Sequence, residues 1–156
     1  MQSSRRVIRI KVLQVLYAHV ISKDPIEKVK NDLLEEIKEE DRIEFASKLI
    51  DKVLKNSTKL DKLIKSKIEN WEFERIALVD KIILKMGLSE ILYFPEIPPK
   101  VSINEAIEIA KEYCTKSSGK FVNGILDAIL TDLKKENKLN KSGRGLLDLK
   151  KKYNEK

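Results

Sequence analysis

The chain has 156 residues, 42% of them hydrophobic, with 32 Lys or Arg against 25 Asp or Glu and a formal net charge of +7. This length and apolar content fit one domain with one sizeable core and leave no room for a second full domain. Charges interrupt every apolar run and the N-terminus lacks an apolar secretion segment, so a cytoplasmic protein without a membrane span is expected. With one Cys and one His, neither an intramolecular disulfide nor a soft-metal site can form, and no metal or cofactor is predicted.

The charge is unevenly distributed along the chain. Residues 134–156 contain nine basic and three acidic residues, and residues 1–16 contain four basic residues and no acid. The chain is therefore basic at both ends and acidic between them, which suits a polyanion on one surface and a basic partner on another. A merely solvated surface explains the same counts equally well.

In the first half of the chain, apolar residues recur at spacings of three and four. This periodicity predicts helices over residues 4–22, 25–38 and 41–68, the last with a kink near Asn56 and Ser57. Residues suited to N-capping precede each helix: Ser3 and Ser4, Asp24 ahead of Pro25, and Asp41.

The second half begins with a helix that is apolar on nearly all sides, from Ile76 to Leu92, which indicates a central position. Pro95, Pro98 and Pro99 end it, because proline has no amide to donate and restricts the residue before it.

Two further helices are predicted after these prolines. Ser102 and Glu105 have the spacing of a capping box, which predicts a helix to about Tyr113. The last helix follows Ser117 and Ser118.

No strand pattern and no fixed-period repeat emerge, so the predicted fold is all-α, a compact bundle of about seven helices spanning residues 1–133. Residues 134–156 are predicted to form a basic, flexible tail. Within that tail Leu146, Leu147 and Leu149 could form a short docking helix.

Three sequence blocks carry a resemblance to a known family: SRRVIRIKVLQVLYA, VDKIILKMGLSEILYFPEIPPKVSINEAIEIAKEY and KFVNGIL. Together they resemble the NusB family of transcription antitermination factors over residues 4–133. Each block alone is weak, and the specificity comes from their order. The resemblance implies a non-catalytic all-α protein that binds single-stranded boxA RNA of ribosomal RNA leaders. It also implies a heterodimer with NusE, a small-subunit ribosomal protein, and an indirect link to the RNA polymerase elongation complex.

The first block supplies five candidate RNA-binding residues. Arg5, Arg6 and Arg9 carry guanidinium groups that fork onto phosphates or stack on bases, and helical spacing is expected to hold Arg5 and Arg9 away from the apolar stripe of the helix. Gln14 can contact a base edge, and Tyr17 offers a stacking face. The alternatives are solvated charge for the arginines and a half-buried core aromatic for Tyr17.

Three more RNA-binding candidates lie later in the chain. Lys120 and Phe121, near a helix N-terminus, would combine a cation with an aromatic face. Phe121 could equally be ordinary core. Lys85 on the central helix is a lesser candidate, with a rim lysine as the alternative.

The predicted partner-binding residues are acids of the middle and late helices, where a basic ribosomal protein would meet complementary potential. They are Asp80, Glu90, Glu105 and Glu108. Exposed helical carboxylates that are simply solvated are the alternative.

Two positions depart from the family pattern. Val7 interrupts an arginine run, and Ser117 stands where family members often carry an acid. Val7 removes a cation from the RNA side, and Ser117 puts acid-dependent regulation in doubt. The free protein is expected to be a monomer or a homodimer.

Two other classes of protein are alternatives to this interpretation. The first is an RNA-binding adaptor related to the N-terminal domain of ribosomal RNA cytosine methyltransferases, without catalytic activity. An enzyme is disfavoured because the chain lacks a glycine-rich turn that would bind a nucleotide cofactor. Cys114 also has no neighbouring base, and His19 suits a position at the rim of the core. A DNA reader is disfavoured because no short-turn helix pair with a basic recognition helix is apparent.

Overall fold

The computed structural model describes residues 5–147 and 149, and this part of the chain contains eight α-helices, a short 3₁₀ helix and no strand. The helices are α1 (Arg5–Ser22), α2 (Ile26–Leu34), α3 (Glu40–Lys55), α4 (Ser57–Lys65), α5 (Asn70–Arg75), α6 (Leu78–Tyr93), α7 (Pro99–Tyr113) and α8 (Lys116–Lys135), followed by the 3₁₀ helix Gly143–Leu146. The predicted all-α fold is confirmed. Within the described residues, no helix has the length and apolarity needed to cross a membrane.

Helix α6 is the centre of the bundle. Ten of its sixteen residues are buried, and it packs against α1, α3, α4, α7 and α8. Gly87 allows α8 to approach closely, since a Cβ there would lie 3.0 Å from Leu126 Cδ1. The central position predicted from its nearly all-round apolar sequence is confirmed.

The helix predicted over residues 41–68 is divided in two at Asn56. The backbone of Asn56 leaves helical geometry at φ −108°, and the side-chain Nδ2 of Asn56 donates to the Lys52 carbonyl at 2.9 Å. A short polar side chain that bonds to the backbone in this way competes with helical hydrogen bonding. The predicted kink is in the right place. A further short helix, α5, begins at Asn70, and Glu69 and Glu72 cap it reciprocally.

Several predicted caps are wrong. Pro99 starts α7 because the first helical position needs no amide donor. Ser102 therefore lies inside the helix, 1% exposed. Helix α2 starts after Pro25 and α3 after Glu39, without side-chain caps. The structure shows Thr115 capping α8, where its hydroxyl accepts from the Ser118 amide at 3.1 Å. Ser3 and Ser4 lie outside the described residues.

The segment after α8 packs against the end of α6, where the sequence predicts a flexible tail. Lys141 Nζ donates to the carbonyls of Glu90 (3.1 Å) and Phe94 (2.8 Å), and the Ser142 amide donates to the Pro95 carbonyl (3.0 Å). The Glu90 and Phe94 carbonyls also accept from the amides of Phe94 and Ile97, so Lys141 adds a second donor to each of them. Residues 136–147 are thus docked, while 148 and 150–156 lie outside the described residues.

Gly145 is required for this docking. A Cβ there would lie 1.9 Å from the Pro95 carbonyl oxygen, so Gly145→Ala should push the segment away. We expect faster hydrogen exchange of the Ser142 amide and a Tm lowered by about 2–8 °C, as for a loss of about 1–2 kcal/mol in a domain of this size. Gly124→Ala is the control, because a Cβ there meets nothing within 4 Å, and Ala favours a helix. Unchanged Ser142 exchange in Gly145→Ala would contradict the docking.

Stability should also depend on pH through Lys141. Burial lowers the pKa of its ammonium group to about 8 from 10.5. Between these two values the unfolded chain binds more protons than the folded one, so this group makes stability rise with pH. The free energy of unfolding, relative to that of Lys141→Met, should therefore increase from pH 8 to pH 10.5. A constant difference across that range is the result that would refute this prediction.

Candidate nucleic-acid interface

Arg9 lies inside the protein rather than at its surface. It is 4% exposed, and its Nε and Nη2 donate to the two carboxylate oxygens of Glu90, both at 2.7 Å. Burial alone would lower the pKa of Arg9, but the bonds with Glu90 raise it above its usual range. The expectation that Arg9 contacts RNA and Glu90 contacts a partner is therefore wrong for this conformation. Arg9 lies one turn before Leu13 on the core side of α1, contrary to the side inferred for it from the sequence.

Arg5 and Arg6 are exposed at the start of α1. The Arg6 side chain forms a two-pronged contact with Glu105 on α7, with distances of 3.1 Å from Nε to Oε1 and 2.6 Å from Nη2 to Oε2. This hydrogen bonding lowers the pKa of Glu105. The Arg5 guanidinium lies 4.4 Å from the centroid of the Phe45 ring, a cation–π distance. Both arginines can reach a ligand, but a phosphate must displace Glu105 to bind Arg6.

Gln14 and Tyr17 lie on the outer side of α1, and Tyr17 is 41% exposed. Tyr17 follows Arg6 by eleven residues, close to three full turns, so both project from the same side of the helix. The structure thus brings a cation and an aromatic ring onto one strip of α1.

Lys120 and Phe121 lie in the first turns of α8. Lys120 is exposed, whereas Phe121 is half-buried and lines an open groove of about 420 Å³ with Trp71 and Arg75. The Arg75 guanidinium lies 5.6 Å from the Trp71 ring centroid. Sequence reasoning missed Trp71 and Arg75. A tryptophan within the polar segment NWEFER was the available signal, and Trp71 is 62% exposed.

Helix α7 lies between the start of α1 and the start of α8. Arg6 bonds Glu105, and a Cβ at Gly119 would lie 2.9 Å from the side chain of Lys111. Those two α7 residues are six apart, or ~9 Å along the helix. We call the surface formed by Arg5, Arg6, Gln14, Tyr17, Lys120 and Phe121 the α1–α8 face.

Lys85 does not belong to this face. Its Nζ contacts Ser57 Oγ at 2.9 Å and Asp61 Oδ1 at 2.8 Å, both on α4. Gly87, two residues on, faces α7 and α8. Two helical residues span about 200°, so Lys85 projects from the opposite side of α6. Lys85 therefore lies apart from the other RNA-binding candidates, and its role in RNA binding stays a prediction.

Most of the predicted partner-binding acids are not free surface carboxylates. Asp80 is 9% exposed and accepts a hydrogen bond from Ser118 Oγ at 3.1 Å. Burial, and next the adjacent Asp80, raise the pKa of the Cys114 thiol to about 11. Glu105 is engaged by Arg6. Glu108 is exposed, with Lys111 Nζ 3.2 Å away, and remains accessible to a partner.

Both departures from the family pattern, Val7 and Ser117, lie at the surface. Val7 is 43% exposed on α1, so an apolar side chain stands beside Arg6 where a further cation would add to the α1–α8 face.

The fold and this face define a small all-helical protein whose candidate site is a surface of cationic and aromatic side chains. A family model, the NusB family, matches residues 6–131. The transcription antitermination protein NusB of Chloroherpeton thalassium is 46% identical over 151 residues, covering 94% of this chain and 70% of that protein. The chain belongs to the NusB family, which confirms the resemblance seen in the sequence blocks.

Two solved structures show the same fold. A crystal form of T. maritima NusB matches with a TM-score of 0.76 and 38% identity, covering 83% of this chain and 92% of that one. A crystal structure of antitermination factors NusB and NusE in complex with dsRNA matches with a TM-score of 0.75 and 26% identity, covering 85% of this chain and 99% of that one.

Breaking the buried ion pair should be costly. Glu90→Gln keeps the shape of the side chain but leaves the buried Arg9 charge with only the more distant Glu105 carboxylate, 3.4 Å from Nη1, which should lower the free energy of unfolding by about 3–5 kcal/mol. Urea denaturation followed by circular dichroism measures this loss. The double variant Arg9→Met with Glu90→Leu removes both charges and should recover most of the stability. A loss below about 1 kcal/mol in Glu90→Gln would show that the pair is not buried as described.

Proposed function

We propose that this chain is a transcription antitermination factor that binds RNA through the α1–α8 face. The proposal is supported by the exposed cations Arg6 and Lys120, which lie at the starts of α1 and α8 on either side of α7, and by Arg5, which is exposed next to Arg6. Such a protein acts in the cytoplasm by binding rather than by catalysis. Membership of the NusB family and the NusB–NusE–RNA complex with the same fold support the proposal.

The proposed target is the single-stranded boxA element of ribosomal RNA leaders. Unpaired RNA is bound by cations that follow the backbone and by aromatic faces that receive splayed bases. The α1–α8 face offers both kinds of group, with Tyr17 on the outer side of α1 and Phe121 at the edge of a groove. Arg6 would exchange the Glu105 carboxylate for a phosphate, which makes its contribution sensitive to salt.

The proposed protein partner is NusE, with RNA polymerase contacted indirectly and elongation made more processive. Of the predicted acids, Glu108 offers an exposed carboxylate, and Glu105 keeps only its 3.4 Å contact with Arg9 once Arg6 engages a phosphate. RNA and partner binding would then be coupled, because RNA contact releases an acid that a basic protein can use.

The test is RNA affinity measured by fluorescence anisotropy over a salt series. Arg5→Ala, Arg6→Ala and Lys120→Ala together should reduce the log–log salt slope for single-stranded boxA RNA by about 2, at roughly 0.7 per lost phosphate contact. All three side chains are exposed, so the circular dichroism spectrum should not change.

The matched control removes three exposed lysines that lie in different parts of the chain: Lys23, Lys38 and Lys100. Their replacement by alanine lowers the net charge equally and should leave boxA binding nearly unchanged. Equal losses in both triple variants would show that binding follows net charge alone, and no loss in the first would remove the α1–α8 face as the site.

A further inference from the structure

Five lysines follow one side of α3 and α4 at successive spacings of four, three, four and three residues: Lys48, Lys52, Lys55, Lys59 and Lys62. Residues at these spacings share one side of a helix. The break at Asn56 does not interrupt the row, because the Asn56 amide donates to the Lys52 carbonyl at 3.1 Å and the Leu60 amide donates to the Asn56 carbonyl at 2.9 Å. We call these five residues the lysine row.

Contacts with α6 and the residue after it show that both halves of the row lie on the same side of the molecule. Lys52 from α3 and Lys59 from α4 place their Nζ atoms 5.3 Å and 5.7 Å from the centroid of the same ring, that of Tyr93. The Nζ of Lys48 lies 4.3 Å from the centroid of Phe94. The row therefore continues across two helices as one surface.

The charge of the row is not balanced within the described part of the chain, where no carboxylate oxygen lies within 4.0 Å of any of the five ammonium groups. The two acids nearest to it in sequence contact other lysines, Asp51 with Lys30 at 3.9 Å and Asp61 with Lys85 at 2.8 Å. Glu44 lies at its N-terminal end. Like charges three and four residues apart destabilise a helix, so an anionic ligand would relieve a repulsion that the free protein retains.

We propose that the lysine row is a second nucleic-acid site, which binds the phosphate backbone of double-stranded RNA. Its fourteen-residue span is at most ~21 Å long at 1.5 Å per residue, which is long enough to follow several successive phosphates of a duplex. The rings beside it offer no platform for an unpaired base, because Phe94 is 1% exposed and lysines cover Tyr93. Duplex RNA keeps its bases stacked inside and is recognised by its shape and backbone, which needs only cations at this spacing.

The α4 half of this site is separate from the α1–α8 face, whereas Lys48 in the α3 half lies near Arg5, because the two pack on the adjoining rings of Phe94 and Phe45. Helix α4 packs on the side of α6 from which Lys85 projects, and α7 and α8 pack on the side of Gly87. An RNA held on one side would present an adjoining duplex to the other at raised local concentration. The lysine row does not require that arrangement, and it can bind duplex RNA whether or not boxA binding occurs.

The experiment uses the full chain and a 16-base-pair RNA duplex of random sequence, with fluorescence anisotropy from low to physiological salt. The triple variant Lys55→Gln, Lys59→Gln, Lys62→Gln should lose three phosphate contacts. The salt slope should fall by about 2.7, at roughly 0.9 per contact, and low-salt affinity should fall about tenfold or more. Lys55, Lys59 and Lys62 are exposed, so the fold should be retained, which circular dichroism checks.

The control triple variant Lys23→Gln, Lys38→Gln, Lys100→Gln loses the same charge and should change duplex affinity less than twofold. Equal losses in the two variants, or no loss in either, would overturn the proposal. The proposal would also be overturned if single-stranded RNA of the same length bound as tightly as the duplex and lost the same affinity in the lysine-row variant. Row-dependent binding to phosphatidylserine vesicles without duplex binding would assign the row to a membrane surface instead. If duplex binding survives Arg5→Ala, Arg6→Ala, Lys120→Ala, the lysine row is independent of the α1–α8 face.

Discussion

The contact on which the rest of the molecule depends is the ion pair between Arg9 and Glu90. It joins α1 to α6, and Ser102 Oγ adds α7 by donating to Glu90 Oε1 at 2.9 Å. Two charges can stay buried only when each is matched in geometry and hydrogen bonding, and a forked guanidinium on a carboxylate meets that condition. The start of α1 is thereby fixed in rotation, which places Arg6 at the surface beside α7 and Arg5 at the surface over the Phe45 ring of α3.

The cations at the start of α1 are thus divided between structure and binding. Arg9 is buried in an ion pair with Glu90, Arg6 is bonded to Glu105, and Arg5 packs on the Phe45 ring. Such contacts hold flexible side chains near the geometry a phosphate requires, so less side-chain entropy is lost on binding. They also weaken the binding of a single anion to Arg6, because that anion must compete with Glu105. This balance favours polyanions, which engage several cations at once, over single anions.

Helical periodicity predicted the fold class, the central helix and the break at Asn56, because those features depend on side-chain spacing within one element. The partners of Arg9, Asp80 and Glu90 could not be predicted in this way, since Arg9 and Glu90 are 81 residues apart and meet only when three helices pack. The side of Arg9 was predictable, because it lies one turn before Leu13. The docked segment left no side-chain pattern to follow, since its bonds end on backbone carbonyls of Glu90, Phe94 and Pro95. Exposed cations at the helix starts were found because their charge is visible in the sequence.

The docked C-terminal segment and the lysine row meet at one residue. The carbonyl of Phe94 accepts a hydrogen bond from the Lys141 ammonium group, while the ring of Phe94 faces Lys48. The backbone that carries the basic residues of this segment is held against that side of the bundle as far as residue 147. Immobilising a free tail would cost on the order of 1–2 kcal/mol per residue in backbone entropy. For residues 136–147 folding has already met that cost, so the exposed guanidinium of Arg144 is carried on an ordered backbone.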